Sequence, residues 1–320
     1  MAVTTTRTRL AVGHVTRPRR TGVVGRIVRH RADYLYVAPA LLVMLLVIGY
    51  PIYYTVFLSF FKTPPRLALS AKTFTGLSNY VDVVTSRSFW RVTQNTFVWT
   101  FFSTVFAFAL GFGAAIVVHR DFIGRGIVRG LLLIPYVISY VAAAYVWKWL
   151  YHSDFGLVSG MLLRLGLIDR PITLLDSVNR VMPALIVANV WKEFPFAMIM
   201  MLAGLQTVPE QLYRAAQIDG AGAWNQFWHV TVPYIRGVII ITTLLLLVTN
   251  LNSFTLVYIM TAGGPAGASE IWITDIYQLA FGRIRFGQAA AYSVILSLVM
   301  LSMGYFYVKA MTRGDERRPG

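Results

Sequence analysis

The sequence predicts an all-α integral membrane protein with six transmembrane helices, and three observations support this fold class. Hydrophobic residues make up 57% of the 320 residues and charged residues only 13%, whereas a soluble domain usually carries about 25% charged residues. The mean hydropathy is +0.61. Six separate segments are apolar over about 20 residues, which is the length that a helix needs to cross a bilayer. No single soluble core would hold six such segments.

The six apolar segments follow one another along most of the chain. A basic N-terminus in front of an apolar run is also typical of a cleavable signal peptide. Here the run is too long for a signal peptide and no small-residue cleavage site is evident, so we expect a retained helix. The predicted spans are residues 36–60, 96–118, 128–151, 182–205, 237–260 and 289–311.

A large share of the net charge of +16 lies in front of the first span. Residues 1–33 contain eight arginines and a single acidic residue, Asp33, a pattern typical of a cytoplasmic anchor. A basic tail can also bind nucleic acid. No aromatic-rich basic fold accompanies this tail, which argues against that function. The chain contains no cysteine, which excludes disulfides and cysteine-ligated zinc.

The distribution of lysine and arginine predicts that both termini are cytoplasmic. With six spans and an internal N-terminus, the inner segments contain 17 of these residues and the outer loops 10, and positive charge favours the cytoplasmic side. The outer loops, about 61–95, 152–181 and 261–288, are too short for independent domains. The expected organisation is a basic tail at 1–33, a transmembrane domain at 34–311 and a C-terminal tail at 312–320.

The longest inner loop, about residues 206–236, has the pattern of two short helices joined by a tight turn. Residues 210–218 have helical spacing, and Asp219-Gly220 ends that helix because glycine adopts a positive φ at low cost. A second helix is expected from about 223 to 230, and Pro233 ends it.

Two uses of this loop are consistent with its composition. Its small and aromatic residues favour close contact with a partner pocket, whereas an amphipathic segment resting in lipid headgroups is the alternative. A helix that lies on lipid would carry more lysine and arginine, and this loop has only Arg214 before Arg236.

The same loop resembles the EAA loop of permeases in binding-protein-dependent ABC importers. That pattern is Glu-Ala-Ala, a glycine after three intervening residues, and then Ile-x-Leu-Pro. The departure is Arg214 in place of the glutamate, and Glu210, one turn earlier, is a candidate substitute for its carboxylate. The matching segments are Arg214-Ala215-Ala216, Asp219-Gly220-Ala221 and Val230-Thr231-Val232-Pro233.

Further motifs extend the resemblance over about residues 34–310. They are closest to the carbohydrate-type permeases, such as those of the maltose, glycerol-3-phosphate and trehalose importers. The matching segments are Ile134-Pro135, Trp191-Lys192-Glu193-Phe194-Pro195-Phe196, Leu202-Ala203-Gly204-Leu205, Thr261-Ala262-Gly263-Gly264-Pro265, Tyr277, Ala280-Phe281 and Phe286-Gly287.

The resemblance implies the type I ABC importer permease fold and the import of a sugar, of the di- or oligosaccharide class, across a bacterial or archaeal cytoplasmic membrane. It implies a second homologous permease, two ATP-binding cassette subunits, an extracytoplasmic solute-binding protein and membrane lipid as partners. ATP and Mg would bind the partner ATPase, and this chain, which lacks a Walker-type motif, would bind no cofactor. The expected coupling residues are Glu210, Arg214, Ala215, Ala216, Asp219, Gly220, Ala221 and Pro233.

Ionisable residues inside a span are candidates for the solute path, because charge is costly at bilayer depth. Lys148, Lys192 and Glu193 meet this criterion. Adjacent residues of a helix do not face one another, so Lys192 and Glu193 are expected to have separate partners or to face a water-filled cavity near Pro195. An ion-pair network that holds helices together is the structural alternative.

A polar and aromatic strip at the end of the fifth span is the second candidate. Asparagine and tyrosine hydrogen-bond hydroxyl groups, aromatic rings stack on sugar C–H surfaces, and by resemblance this end lines the sugar path. Polar packing between helices is the alternative. Trp147, Trp149 and Tyr151 are expected to form an interfacial belt instead. The candidate path residues are therefore Lys192, Glu193, Asn250, Asn252, Phe254 and Tyr258.

Two other function classes are alternatives to an importer permease. A self-sufficient secondary transporter or channel usually shows inverted repeats or paired broken helices, and the sequence has no convincing internal repeat. A membrane enzyme would need clustered catalytic or metal-binding groups. The five histidines are scattered singly, without metal spacing, at positions His14, His30, His119, His152 and His229.

Overall fold

The computed structural model of the protein describes residues 31–63 and 72–315, and almost all of the regular structure is helical. Two short antiparallel strands, Phe61–Lys62 and Thr73–Phe74, pair within this part of the chain. Three stretches are π-helical: Leu45–Gly49, Phe227–Thr231 and Gln278–Gly282. The α-helices are Arg31–Met44, Tyr50–Leu58, Ser78–Thr85, Arg87–His119, Arg125–Val137, Tyr140–Leu150, Leu157–Arg164, Val181–Gln206, Glu210–Ile218, Ala223–Gln226, Val232–Tyr234, Arg236–Leu251, Thr255–Thr261, Trp272–Tyr277 and Phe286–Asp315.

The chain divides into two compact units, residues 1–54 and 55–320. The basic tail predicted at 1–33 lies almost wholly outside the described residues, and so do residues 316–320 of the predicted C-terminal tail. The last helix continues past the predicted boundary at residue 311.

Five helices are long and apolar enough to cross a membrane, and a sixth span results when one bent pair of helices is counted as a single span. These positions agree with the six segments predicted from hydropathy. They are called the first to sixth spans below: Tyr36–Leu58, Arg87–His119, Arg125–Val137 with Tyr140–Leu150, Val181–Gln206, Arg236–Thr261 and Phe286–Lys309.

The second span begins at Arg87, earlier than the start near residue 96 that hydropathy predicted. Ser86 caps this helix, because its hydroxyl accepts a hydrogen bond from the backbone N–H of Phe89 at 3.1 Å. Hydropathy detects only the apolar part of a helix. It therefore places the polar first turns of the second span in the predicted outer loop at 61–95. That loop is accordingly shorter than predicted.

The third span is bent by 95° between its two helices. The first helix ends at Val137, and Ile138 and Ser139 have extended backbone. Ser139 starts the second helix, since its hydroxyl accepts a hydrogen bond from the N–H of Ala142 at 3.2 Å. The hydropathy of the apolar segment predicted at 128–151 does not show this break.

The fifth span is also interrupted, because its first helix ends at Leu251 and its second begins at Thr255. Within the described residues, the buried hydroxyl of Ser253 at this break has no hydrogen-bond partner. Irregular backbone at membrane depth is tolerated only where protein surrounds it or where it lines a cavity. We therefore expect a cavity or surrounding protein at each break, in the space between the third and fifth spans.

The second and fourth spans approach closely at Gly111. A Cβ atom at this position would lie 2.5 Å from the carbonyl oxygen of Phe194 and 2.6 Å from the Cβ of Ala197. Only a residue without a side chain permits this contact, which is the small-residue packing typical of membrane helices.

A buried amide network joins the second, fourth and fifth spans. The side-chain oxygen of Asn250 accepts a hydrogen bond from Nδ2 of Asn189 at 2.7 Å, and its Nδ2 donates to Oγ1 of Thr104 at 3.1 Å. The indole N–H of Trp99 donates to the backbone oxygen of Asn250 at 3.0 Å. These side chains are buried, so the network fixes the relative positions of three helices.

The segment between the fourth and fifth spans, residues 206–236, is called the elbow below. Its first helix is Glu210–Ile218, and Gly220 follows with a φ of +77°. The backbone N–H of Ala221 donates to the oxygen of Ala216 at 2.8 Å and closes the helix end. The predicted helix and its glycine turn are confirmed.

The second half of the elbow differs from its prediction. It stays helical past Pro233 and turns only at Ile235, instead of ending near residue 230. Proline has no N–H for the helical hydrogen-bond ladder, and the chain passes this point through a wider turn in which the N–H of Val232 bonds to the oxygen of Phe227.

The connection between the fifth and sixth spans folds against the start of the second span. Arg91 lies 3.6 Å from the carboxylate of Glu270. Nδ2 of Asn95 donates to the backbone oxygens of Gly267 at 3.0 Å and of Glu270 at 3.1 Å. This segment is therefore an ordered part of the fold.

Candidate solute path and coupling elbow

A cavity of about 480 Å³ lies where the break of the third span meets the fourth and fifth spans. Its volume is in the range of small-molecule sites, and its residues come from near the middle of each span. We call it the central cavity. Its main lining residues are Tyr136, Ser139, Tyr140, Lys192, Glu193, Phe196 and Thr249.

Lys192 is held by the end of the broken helix. Its side chain is only 3% exposed, and Nζ donates to the backbone oxygen of Tyr136 at 3.0 Å. Nζ also lies 4.7 Å from the ring centroid of Tyr140 and 5.5 Å from that of Tyr136. The freed carbonyl and the two rings together stabilise a cation that would otherwise be costly to bury.

Glu193 is bound on the other side of the same break. The residue is 4% exposed, and its Oε1 accepts a hydrogen bond from the hydroxyl of Tyr140 at 2.7 Å. The expectation that Lys192 and Glu193 have separate partners is confirmed. Both partners belong to the third span, so the positions of the two side chains depend on the bend in that span.

The two asparagines of the predicted strip have different environments. Asn250 is fully buried, and both of its amide atoms bond to protein groups in the network described above. Asn252 is exposed, and its Nδ2 donates to the backbone oxygen of Val248 at 3.0 Å. Asn252 therefore lies on the surface of this chain, and Asn250 acts in helix packing.

Phe254 and Tyr258 begin a row of contacting rings that we call the aromatic ladder. Their centroids are 4.7 Å apart, and Tyr277 lies 4.9 Å from Phe254 and 5.0 Å from Tyr258. Phe281 extends the row at 5.0 Å from Tyr277. The ladder joins the fifth span to the connection that follows it.

The remaining candidates lie near one end of the third span. Lys148 is exposed, and its Nζ is 3.3 Å from the backbone oxygen of Ile259. Trp149 is exposed, as a belt residue would be. The belt expectation is wrong for Tyr151, which is buried and donates its hydroxyl to the oxygen of Ala184 at 3.0 Å.

The elbow presents apolar side chains away from the core of the chain. Ile218 is 87% exposed and Trp224 is 72% exposed, and Leu212 and Trp228 are exposed as well. On the opposite side, Phe227 contacts Phe112 of the second span with ring centroids 5.6 Å apart. The elbow is thus attached to the bundle on one side and free to contact a partner on the other.

The charged residues of the elbow form an intrahelical pair. Arg214, which occupies the position of the signature glutamate, lies 3.0 Å from the carboxylate of Glu210 one turn earlier. Both side chains are largely exposed. The hydroxyl of Tyr213 lies 2.9 Å from Oγ1 of Thr231 and joins the two helices of the elbow.

These features define the class of protein. A polar cavity at mid-span beside unwound backbone is the way in which transporters build a solute site. A cluster of exposed large apolar side chains marks a site of protein interaction. The chain is accordingly a membrane transport protein with an apolar surface available to a partner.

Comparison with known proteins gives the family. Residues 107–313 match the family described as "Binding-protein-dependent transport system inner membrane component". The chain is 33% identical to the trehalose/maltose transport system permease protein MalF of Thermococcus litoralis, over 87% of this chain and 93% of the relative. It is 33% identical to the trehalose transport system permease protein SugA of Mycobacterium tuberculosis, over 91% of each. The chain belongs to this family of inner-membrane components and is a permease subunit of an ABC importer.

A solved structure supports the fold assignment. The chain is similar to a subunit in the crystal structure of a bacterial ABC transporter involved in the import of the acidic polysaccharide alginate. The TM-score is 0.77 at 24% identity, and the match covers 91% of this chain and 98% of that subunit. The predicted type I importer permease fold is confirmed.

Several residues that line the central cavity are not predicted from the sequence. Tyr136, Ser139, Tyr140, Phe196 and Thr249 line it, and none was a candidate. A serine followed by an alanine-rich helical segment is a helix-start signal, and this signal at Ser139 was available inside the apolar run.

Proposed function

We propose that this permease carries a sugar across the cytoplasmic membrane through the central cavity. The observation that carries the proposal is the convergence of two interrupted spans on a cavity that holds a buried lysine and a buried glutamate. The relatives named for trehalose and maltose support a sugar of the di- or oligosaccharide class.

The chemistry of the central cavity suits a hydroxylated solute. Glu193 offers acceptor atoms, whereas Lys192 and the hydroxyl of Ser139 offer donors. The rings of Tyr136 and Phe196 stack with centroids 6.2 Å apart, and such faces pack against the C–H surface of a sugar. Asn252, Phe254 and Tyr258 continue the path, and Asn250 holds the surrounding helices in place.

The elbow is the coupling element in this proposal. It docks on a separate ATPase, and closure of two ATPase subunits moves the helices attached to it. The ATPase binds ATP and Mg and performs hydrolysis, and this chain binds no cofactor. The coupling residues are Glu210, Arg214, Ala215, Ala216, Asp219, Gly220, Ala221 and Pro233.

The proposed assembly has both termini of this chain on the cytoplasmic side. It pairs this chain with a second homologous permease and two ATP-binding cassette subunits. A solute-binding protein, the partner that the family's description names, delivers sugar from outside. The basic tail contacts lipid at the inner surface and does not bind nucleic acid.

Uptake of labelled trehalose and maltose by the complete importer in proteoliposomes tests the sugar path. Phe196→Leu removes a ring that lines the central cavity, whereas Phe97→Leu removes an exposed ring of the second span and serves as the matched control. We expect the KM for uptake to rise roughly two- to tenfold in the first variant only. Sugar uptake that does not require ATP would contradict the proposal.

Substitution at Gly220 tests the coupling role of the elbow. A Cβ atom at Gly220 would meet nothing within 4 Å in this chain, so the expected effects of added bulk are backbone strain at the positive φ of +77° and a clash with a docked partner. Gly220→Asn is the control, because asparagine tolerates a positive φ. We expect Gly220→Trp to reduce solute-stimulated ATP hydrolysis and uptake far more than Gly220→Asn does. Normal turnover in the tryptophan variant would remove the coupling assignment.

A further inference from the structure

A second cavity, of about 390 Å³, lies between the end of the third span, the loop after it and the end of the fifth span. We call it the outer cavity, because the proposed orientation places it on the extracellular side. Its lining includes charged, hydroxyl and aromatic side chains from all three segments: Lys148, His152, Thr173, Asp176, Tyr258 and Thr261.

The polar groups of the outer cavity are accessible. Lys148 is exposed and makes one long contact, to the oxygen of Ile259 at 3.3 Å, and an ammonium group has three donors. Asp176 and Thr173 are also exposed. A cation, a carboxylate and hydroxyl groups at one opening provide the donors and acceptors that hydroxyl groups of a solute need.

Tyr258 lines the outer cavity on the same span that contributes Thr249 to the central cavity. It is also the second ring of the aromatic ladder, 4.7 Å from Phe254. Phe254 adjoins the break in the fifth span, and Thr249, a few residues earlier, lines the central cavity. Tyr258 lies nine positions after Thr249, on the far side of the break in the fifth span, and Asn252 and Phe254 lie between them in the sequence.

We propose that the outer cavity is a second carbohydrate subsite, which receives the sugar from the solute-binding partner before the sugar moves along Tyr258 and Phe254 to the central cavity. The inference rests on the proposed function, because the central cavity is its destination. Aromatic faces next to hydrogen-bonding groups are the combination that binds pyranose rings.

The absence of cysteine from this chain permits a direct test. Thr173→Cys places a thiol at the outer cavity, whereas Val178→Cys places one at an exposed position of the same loop outside the lining. The complete importer is treated with a membrane-impermeant thiol reagent from outside, with trehalose, maltose or the non-ring polyol mannitol present. We expect trehalose or maltose to slow labelling of residue 173 several-fold, with no effect at residue 178 and none from mannitol.

The outcomes separate the subsite from the proposed function. Equal labelling rates at residue 173 with and without sugar, in an importer that takes up that sugar, would overturn the subsite alone. Failure to label residue 178 from outside would overturn the orientation, and absence of sugar uptake by the wild-type importer would overturn the proposed function.

Transport kinetics give a second, independent measurement. Tyr258→Leu removes the ring shared by the ladder and the outer cavity, and Tyr145→Leu removes an exposed ring of the third span as a control. We expect the KM for sugar uptake to rise roughly two- to tenfold in Tyr258→Leu and to stay unchanged in Tyr145→Leu. The same KM in both variants would contradict the subsite.

Discussion

At the scale of single residues, the central cavity depends on how Lys192 and Glu193 find partners. Neighbouring residues of a helix point in directions about 100° apart, so each of the two side chains bonds to a separate partner. The bend in the third span supplies the carbonyl oxygen of Tyr136 to the lysine and the hydroxyl of Tyr140 to the glutamate. A straight helix would keep that carbonyl in its own hydrogen-bond ladder, so the break and the buried charges stabilise each other.

Substitution of the two asparagines should separate packing from accessibility. Asn250→Ala leaves the amide of Asn189 and the hydroxyl of Thr104 without their partner, and we expect a loss of about 1–3 kcal/mol in the free energy of unfolding. Asn252 is exposed, so Asn252→Ala should stay within about 0.5 kcal/mol of the wild type. Thermal denaturation of the purified importer in detergent measures both, and equal midpoints would contradict the assignment.

The carboxyl groups of Glu270 and Asp275 predict a pH dependence of stability. Burial raises the pKa of both groups, and Arg91 and Arg283 only partly oppose this shift. The folded protein therefore holds these protons more tightly than the unfolded chain does. Their contribution to stability is present below the ordinary carboxyl pKa of about 4 and is lost as the pH rises through the raised values.

Asp275→Asn tests this dependence, because asparagine keeps the shape without the ionisation. We expect the thermal midpoint of the wild-type importer to fall as the pH rises through this window, and we expect a smaller fall in the variant. The same fall in both proteins would show that Asp275 does not contribute.

At the scale of helices, the contact between the second and fourth spans depends on one glycine. Gly111→Ala would force a methyl group against the carbonyl of Phe194 and should destabilise the importer by about 1–3 kcal/mol. Gly113→Ala is the control, since a Cβ there meets nothing within 4 Å and alanine favours a helix. Melting temperatures in detergent would report the difference, and a stable Gly111→Ala variant would show that the helices can separate without cost.

At the scale of the whole molecule, the proposed coupling requires that the elbow transmits movement to the cavity. The elbow contacts the second span through Phe227 and Phe112, and the amide network links that span to the fourth and fifth spans. In the proposed mechanism these contacts carry a displacement of the elbow through packed helices to the fourth and fifth spans, which line the central cavity.

The exposed face of the elbow should determine how firmly the ATPase binds. Ile218→Ser removes an apolar side chain from this face, and Ile123→Ser removes a fully exposed one from a different connection. We expect the first variant to lose ATPase subunits during purification of the importer and the second to retain them, because burial of apolar surface stabilises association. Retention of the ATPase in both variants would place the docking surface elsewhere.

The sequence alone determined the spans and the elbow, because both depend on local patterns. Apolar length identifies a membrane helix, and the spacing of residues 210–218 followed by Gly220 specifies a helix and its end. Hydropathy could not show that the third span is bent, since its apolar run continues through Ser139, and the cap signal at Ser139 does not give the 95° angle.

Only the tertiary structure decided which polar residues belong to the cavity. Asn250 and Asn252 are alike in sequence terms, but one joins three helices and the other is exposed. Tyr136 and Tyr140 became part of the site because a break in one span faces two charges on another. Contacts between residues distant in the chain depend on how helices pack, and hydropathy and spacing describe each helix by itself.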